Sequence, residues 1–171
     1  ADPDGNQVRG VTGVKAAIAK LVPAAGVEAT NQWVSYIYKT TTVSGSATGD
    51  WPNPDGTVAE QATRERTGTL SDHGDGSYTY AFATNLSTVT FGGSPVTYDR
   101  SLTHRVSVMM GGSSGPTGDD TFDFVPDGSV STETRSIVQT ANCQACHGSE
   151  FHGHGGDRRL AGRTEAGGEG I

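Results

Sequence analysis

At 171 residues the chain has the length of one domain, or of one domain with an appendage, and its 33% hydrophobic content with 25 glycines excludes a tightly packed helical globule. A net charge of -7 and an isoelectric point near 5.0 argue against nucleic acid and anionic membrane surfaces as partners. No apolar run is long enough to span a bilayer, and a mean hydropathy of -0.44 with so many turn residues favours a loop-rich all-β domain.

The chain opens at Ala1 with neither methionine nor signal sequence, which reads as a mature or trimmed product. Asp2-Pro3-Asp4-Gly5-Asn6 is turn chemistry. Val11 to Val22 is ambiguous: its alanines and lysines suit a helix, whereas Val14, Ala16, Ile18 and Lys20 alternate at the period of a strand. Pro23 stops either element. Trp33 to Tyr38, aromatic and β-branched, reads as a strand, and Gly45 to Gly56 as a loop. Ala59 to Leu70, with Glu60, Arg64, Glu65 and Arg66, fits a solvated edge strand or a short helix.

Asp72-His73-Gly74-Asp75-Gly76 forms a tight loop feeding a strand in which Tyr78, Tyr80 and Phe82 share an inward face. Asp72 and Asp75 could hold a calcium ion, but their spacing matches turn formation better. Gly92-Gly93 and Pro95 break the chain before Val96 to Met110, where Leu102, His104, Val106, Val108 and Met110 alternate with polar positions. His104 therefore lies on the apolar face, the place of a hydrogen-bonded core histidine more often than of a ligand. Gly111 to Gly118 is a loop. Phe122, Phe124 and Val125 run into a hairpin-like turn at Pro126-Asp127-Gly128, after which Val130 to Thr140 returns. Strands separated by such turns predict a β-sandwich or barrel.

The most specific stretch is Cys143-Gln144-Ala145-Cys146-His147. Two thiols about one helical turn apart can each add to a vinyl group of one porphyrin, and the adjacent imidazole then stands under the iron as proximal ligand. A dithiol redox motif would need a βαβ context that is not visible. A zinc site could draft Cys143, Cys146 and two of His147, His152 and His154, although structural zinc sites usually separate their ligand pairs by about a dozen residues. A disulfide across two residues would be strained and would close only a tiny loop. Covalent haem c is the reading that uses every residue of the motif, and it places maturation outside the cytoplasm.

Several blocks together resemble the decahaem outer-membrane cytochromes of the MtrC and OmcA family: Ile18 to Pro23 followed by Trp33 to Ile37, Asp75 to Phe82, and Phe122 to Pro126 leading to the Cys143–His147 motif. The resemblance implies that residues 1–140 form an N-terminal β domain, a Greek-key sandwich or split β-barrel in which Val14 to Val22 is a strand. Residues 141–171 then form a short haem-attachment segment. It also implies a place on the outer face of a bacterial outer membrane, after periplasmic haem maturation. The implied role is passage of respiratory electrons to minerals, flavins or other external acceptors, with other cytochromes or a porin-cytochrome complex as partners and no bond chemistry of its own.

The sequence holds one such motif where the family carries ten, so the chain reads as a fragment of a multihaem protein rather than a monohaem relative. By resemblance and by reach His154 is the first candidate for the distal iron ligand and His152 the second, although in dense multihaem proteins such histidines often ligate a neighbouring haem. Met109 and Met110 are weaker candidates, better suited to core packing. Arg158 and Arg159 would suit the haem propionates. Two other functions stay open: a secreted β-sandwich binding module whose motif is unloaded or holds zinc, and a haem with an open distal side.

Overall fold

The computed structural model describes residues 7–26, 30–42, 58–110 and 118–137, and the backbone of 152–153 and 158–159. The expected turn at Asp2–Asn6, the loop at 45–56 and most of the loop at 111–118 lie outside the described residues. Four antiparallel strands form the main sheet in the order β10-β9-β1-β2. They are β1 (Lys15–Val22), β2 (Gln32–Ser35), β9 (His104–Met110) and β10 (Gly118–Phe124). The period-two reading of β1 prevails over the helical one: Ala16, Ile18 and Lys20 are buried while Ala17 and Ala19 face outward. β1 and β9 are the two inner strands, each paired on both sides, and β1 sets Ile18 opposite Val106 and Leu21 opposite Trp33. Its pairing with β9 brings together two distant segments of the chain, and the described sheet stays open rather than closing into a barrel.

Four hairpin-type pairs supply the rest of the sandwich or extend from it. They include β3 (Tyr38–Thr42) with β4 (Val58–Ala62), β5 (Thr69–Asp72) with β6 (Tyr78–Ala81), and β7 (Thr90–Phe91) with β8 (Ser94–Pro95). The fourth is the two-residue pair of β11 (His152–Gly153) and β12 (Arg158–Arg159). Among the described residues one 3₁₀ turn, Leu86–Thr88, is capped by the Asn85 side chain. The core lies between the main sheet and this second layer, centred on Ile18, Tyr36, Ile37 and Val96 with Phe82, Leu86, Val89 and Phe124 packed around them. Gly92 and Gly93 do more than break the chain. Both adopt positive φ and form the two-residue turn of the β7–β8 hairpin, whose Phe91 stacks on Tyr38 at 4.6 Å.

Three segments depart from the sequence reading. Trp33 to Tyr38 is two strands, because Tyr36 and Ile37 turn into the core and the Ser35 hydroxyl accepts the Ile37 amide at 3.0 Å. The run from Val96 becomes a ladder only at His104, since Asp99 folds the chain into a turn by accepting from the Ser101 amide and hydroxyl. Glu65, expected on a solvated element, is 5% exposed. Its carboxylate accepts from the Ala83 and Thr84 amides at 2.7 and 2.8 Å, from the Tyr80 hydroxyl at 3.3 Å and from the Thr84 hydroxyl. Its own backbone bridges to Ala16 of β1, so one residue ties the second layer to the main sheet. Burial would raise its pKa, but these donors outweigh burial and hold it below the usual carboxylate value.

Asp72 and Asp75 behave as turn residues, accepting from the Gly74 amide and from the Ser77 amide and hydroxyl. His104 is the core histidine that its alternation predicts, fully buried, with Nδ1 donating to the Leu102 carbonyl at 2.8 Å. Nε2 then accepts from the Tyr36 hydroxyl at 3.1 Å. Burial pushes the Tyr36 hydroxyl up to about 12 and the His104 imidazole below its ordinary value, so the pair is neutral.

Two outcomes are expected. Glu65→Ala leaves two backbone amides without their acceptor and costs about 3 kcal/mol in urea unfolding, with Glu65→Gln intermediate because an amide oxygen keeps part of the set. Because the His104 pKa is depressed, its stabilising neutral state is fully kept above the ordinary value of 6.5. Stability is lost as pH falls below that value, since the unfolded chain takes up the proton first. Urea midpoints should therefore fall between pH 7.5 and 5.5, and His104→Gln should flatten that slope.

Candidate functional site

Cys143, Cys146, His147 and His154, the residues that the sequence nominates, lie outside the described residues. Of the other nominee, His152, the backbone is placed: it pairs with Arg159 while Gly153 pairs with Arg158, so β11 and β12 set the second distal candidate beside the two arginines. Met109 and Met110 end β9 and pair across β10 with Asp119 and Gly118, positions of sheet packing. What the structure shows in detail is how the chain is held on its way to the motif.

After β10 a turn closes with the Gly128 amide donating to the Val125 carbonyl at 3.0 Å. Of the returning segment expected at 130–140, the described residues 130–137 form no ladder strand. Residues 130–137 instead cross the outer face of the main sheet as an extended strap, bound mostly through side chains. Arg105 of β9 is the pin. Its Nε and Nη2 donate to the two carboxylate oxygens of Asp123 on β10 at 2.6 and 2.7 Å, a bidentate pair. Nη1 reaches the Arg135 carbonyl at 3.2 Å, and Nη2 also reaches the Thr134 hydroxyl at 2.8 Å.

Thr134 in turn donates to Asp123, and the Trp33 indole N–H donates to the Arg135 carbonyl at 2.9 Å. The guanidinium carbon lies 4.5 Å from the Trp33 ring centre, a cation–π contact. Arg135 reaches back to the Asn31 carbonyl, and the Asn31 amide donates to Glu133 at 2.7 Å. The hydrogen bonds from Arg105 hold the Asp123 carboxyl below its usual value, and the same bonds raise the Arg105 pKa.

β pairing explains why these residues meet. Opposite Arg105 stand Asp123 on one side and Ala19 on the other, and Ala19 faces Ser35 across β2. These positions share the outer face, where alternation places every second side chain. Ala17, Ala19, Ser35 and Ser107 floor a groove of about 310 Å³, with Trp33, Arg105 and Ile137 as its walls. Ile137, 70% exposed, stands at the end of the strap and on the rim of this groove.

Residues 7–132 match the family profile described as the OmcA-like N-terminal domain. A solved structure, the crystal structure of the outer membrane decaheme cytochrome OmcA, is similar at a TM-score of 0.74 and 30% sequence identity. The overlap covers 92% of this chain and 25% of that cytochrome, so the chain spans a quarter of the length of this relative. No curated protein matches the chain.

Arg105→Ala removes the pin and leaves Asp123 without its cation. Limited trypsin digestion followed by mass spectrometry should then show faster cleavage after Arg135 than in the wild-type chain, with stability lower by about 2 to 3 kcal/mol. Arg105→Lys, which cannot reproduce the forked pairing, should lie between the two.

Proposed function

Because this chain belongs to the family of OmcA-like N-terminal domains, we propose that it is the β domain and first haem-attachment segment of a multihaem electron-transfer cytochrome at the outer face of an outer membrane. The observation that carries the reading is a complete Cys143-Gln144-Ala145-Cys146-His147 motif directly downstream of such a domain. Its donor set fits haem c: two thiols for the two vinyl groups and one imidazole for the iron. Bound there, the group supplies reversible uptake and release of one electron.

The polypeptide's part is attachment and placement. Cys143 and Cys146 would hold the ring, His147 would ligate the iron, and His154 or His152 would supply its second imidazole. Arg158 and Arg159 stand beside His152 in backbone register, where cations suit propionates. Held by two imidazoles, such a group would have no open coordination position and would relay electrons rather than transform a substrate. Residues 1–140 act as the scaffold and 141–171 as the start of the haem-bearing part. Other haem domains or cytochromes, a porin-cytochrome complex and external acceptors such as minerals or flavins are the proposed partners.

Protein matured in the periplasm of a host with haem c assembly machinery should show a Soret band that survives acid-acetone extraction, and a mass higher by one haem. The double variant Cys143→Ser, Cys146→Ser should lose both while keeping its β-sheet circular dichroism. A colourless, folded wild-type chain that retains zinc would overturn the proposal.

A further inference from the structure

We propose that the groove on the outer face of the main sheet seats one edge of the porphyrin carried by Cys143 and Cys146. The inference deepens the proposed function and rests on it. At about 310 Å³ the groove is at the lower end of small-molecule pockets, large enough for an edge of a macrocycle and too small to enclose one. Its floor suits a flat ligand. Ala17 pairs with Ser107, and Ala19 with Ser35, so no floor side chain is longer than that of serine and a planar ring can approach the strands closely.

The outer face of an antiparallel sheet ordinarily carries solvated polar side chains, and here it presents alanines beneath an indole and an isoleucine. The leash points the same way. Ile137 forms part of the wall, and an extended chain from it reaches Cys143 within about 20 Å. The strap is pinned by Arg105 and Trp33 up to Arg135, so the chain that continues to Cys143 and Cys146 departs from beside the groove.

Arg105 has a defined part in this arrangement. Nε, Nη1 and Nη2 all donate to Asp123, Thr134 or the Arg135 carbonyl, and its face lies over Trp33. It therefore walls the groove and brings positive charge to its rim, balanced by Asp123, without being free to clasp a propionate. Among the described residues the groove has no carboxylate in its lining. Charge placed on its floor would act on the haem iron at short range with little screening.

The test uses the haem-loaded full chain. Ala17→Asp puts an anion on the floor, and Thr69→Asp puts the same charge on β5, which contributes nothing to the groove. Redox titration should give a lower midpoint potential for Ala17→Asp than for Thr69→Asp, since a nearby anion favours the oxidised iron. If Ala17→Asp fails to fold, Ala17→Phe decides: it fills the groove and should change the Soret circular dichroism while leaving the far-ultraviolet spectrum intact. A loaded, folded Ala17→Asp protein with the potential of the Thr69→Asp control would overturn the seat while leaving haem attachment standing. So would an unchanged Soret dichroism in Ala17→Phe, or a groove substitution that only breaks a dimer. Absence of covalent haem in the wild-type chain would overturn both.

Discussion

The forked pair between Arg105 and Asp123 is the constraint that fixes residues 134–135 against the main sheet. It spans β9 and β10 on the outer face, and the same guanidinium holds the carbonyl of Arg135 and lies over Trp33 of β2. One side chain thus connects three strands to the segment leading toward the cysteines. The pair is about three-quarters buried at each partner, where a cation and an anion are held by geometry more than by long-range attraction. Two parallel hydrogen bonds fix the plane of the guanidinium, and that plane decides where the strap can bind.

Other buried polar groups secure the scaffold itself. Glu65 gathers donors from the second layer while its backbone bridges to β1, and His104 joins β9 to Tyr36 across the core. Neither belongs to the proposed redox site. The division of labour among the histidines follows from their surroundings: His104 is neutral, enclosed and hydrogen-bonded on both nitrogens, whereas the proposed ligand His147 belongs to a motif with two thiols. Acid sensitivity of the fold is therefore a property of the β domain, separable from titration of the proposed iron ligands.

In the proposed role the domain carries the haem-attachment segment. In that role a haem would need a defined position, and a strap held by side chains to a paired sheet would supply it better than a free linker. The small residues of β1, β2 and β9 leave the sheet surface low where the strap ends, so the scaffold and the proposed seat are parts of one face.

Much of this was determined by the sequence alone. The alternation in Leu102–Met110 marked one central strand, the loop aspartates marked their turns, and the Cys-x-x-Cys-His spacing nominated the chemistry, because each of these signals is local, whereas Val11–Val22 stayed open between helix and strand until the family resemblance made it a strand. Local pattern could not show that Tyr36 and Ile37 leave the strand for the core, nor that Glu65 is buried. It read residues 130–140 as returning like a strand, and the described part, 130–137, does not pair, since an extended segment has the same composition whether it binds through a ladder or through side chains. Nothing in the local pattern singled out Arg105, Asp123 or Trp33. Only the pairing of β1 with β9, contacts distant in the chain, brought them together beneath the strap, and no short-range rule encodes which strands become neighbours.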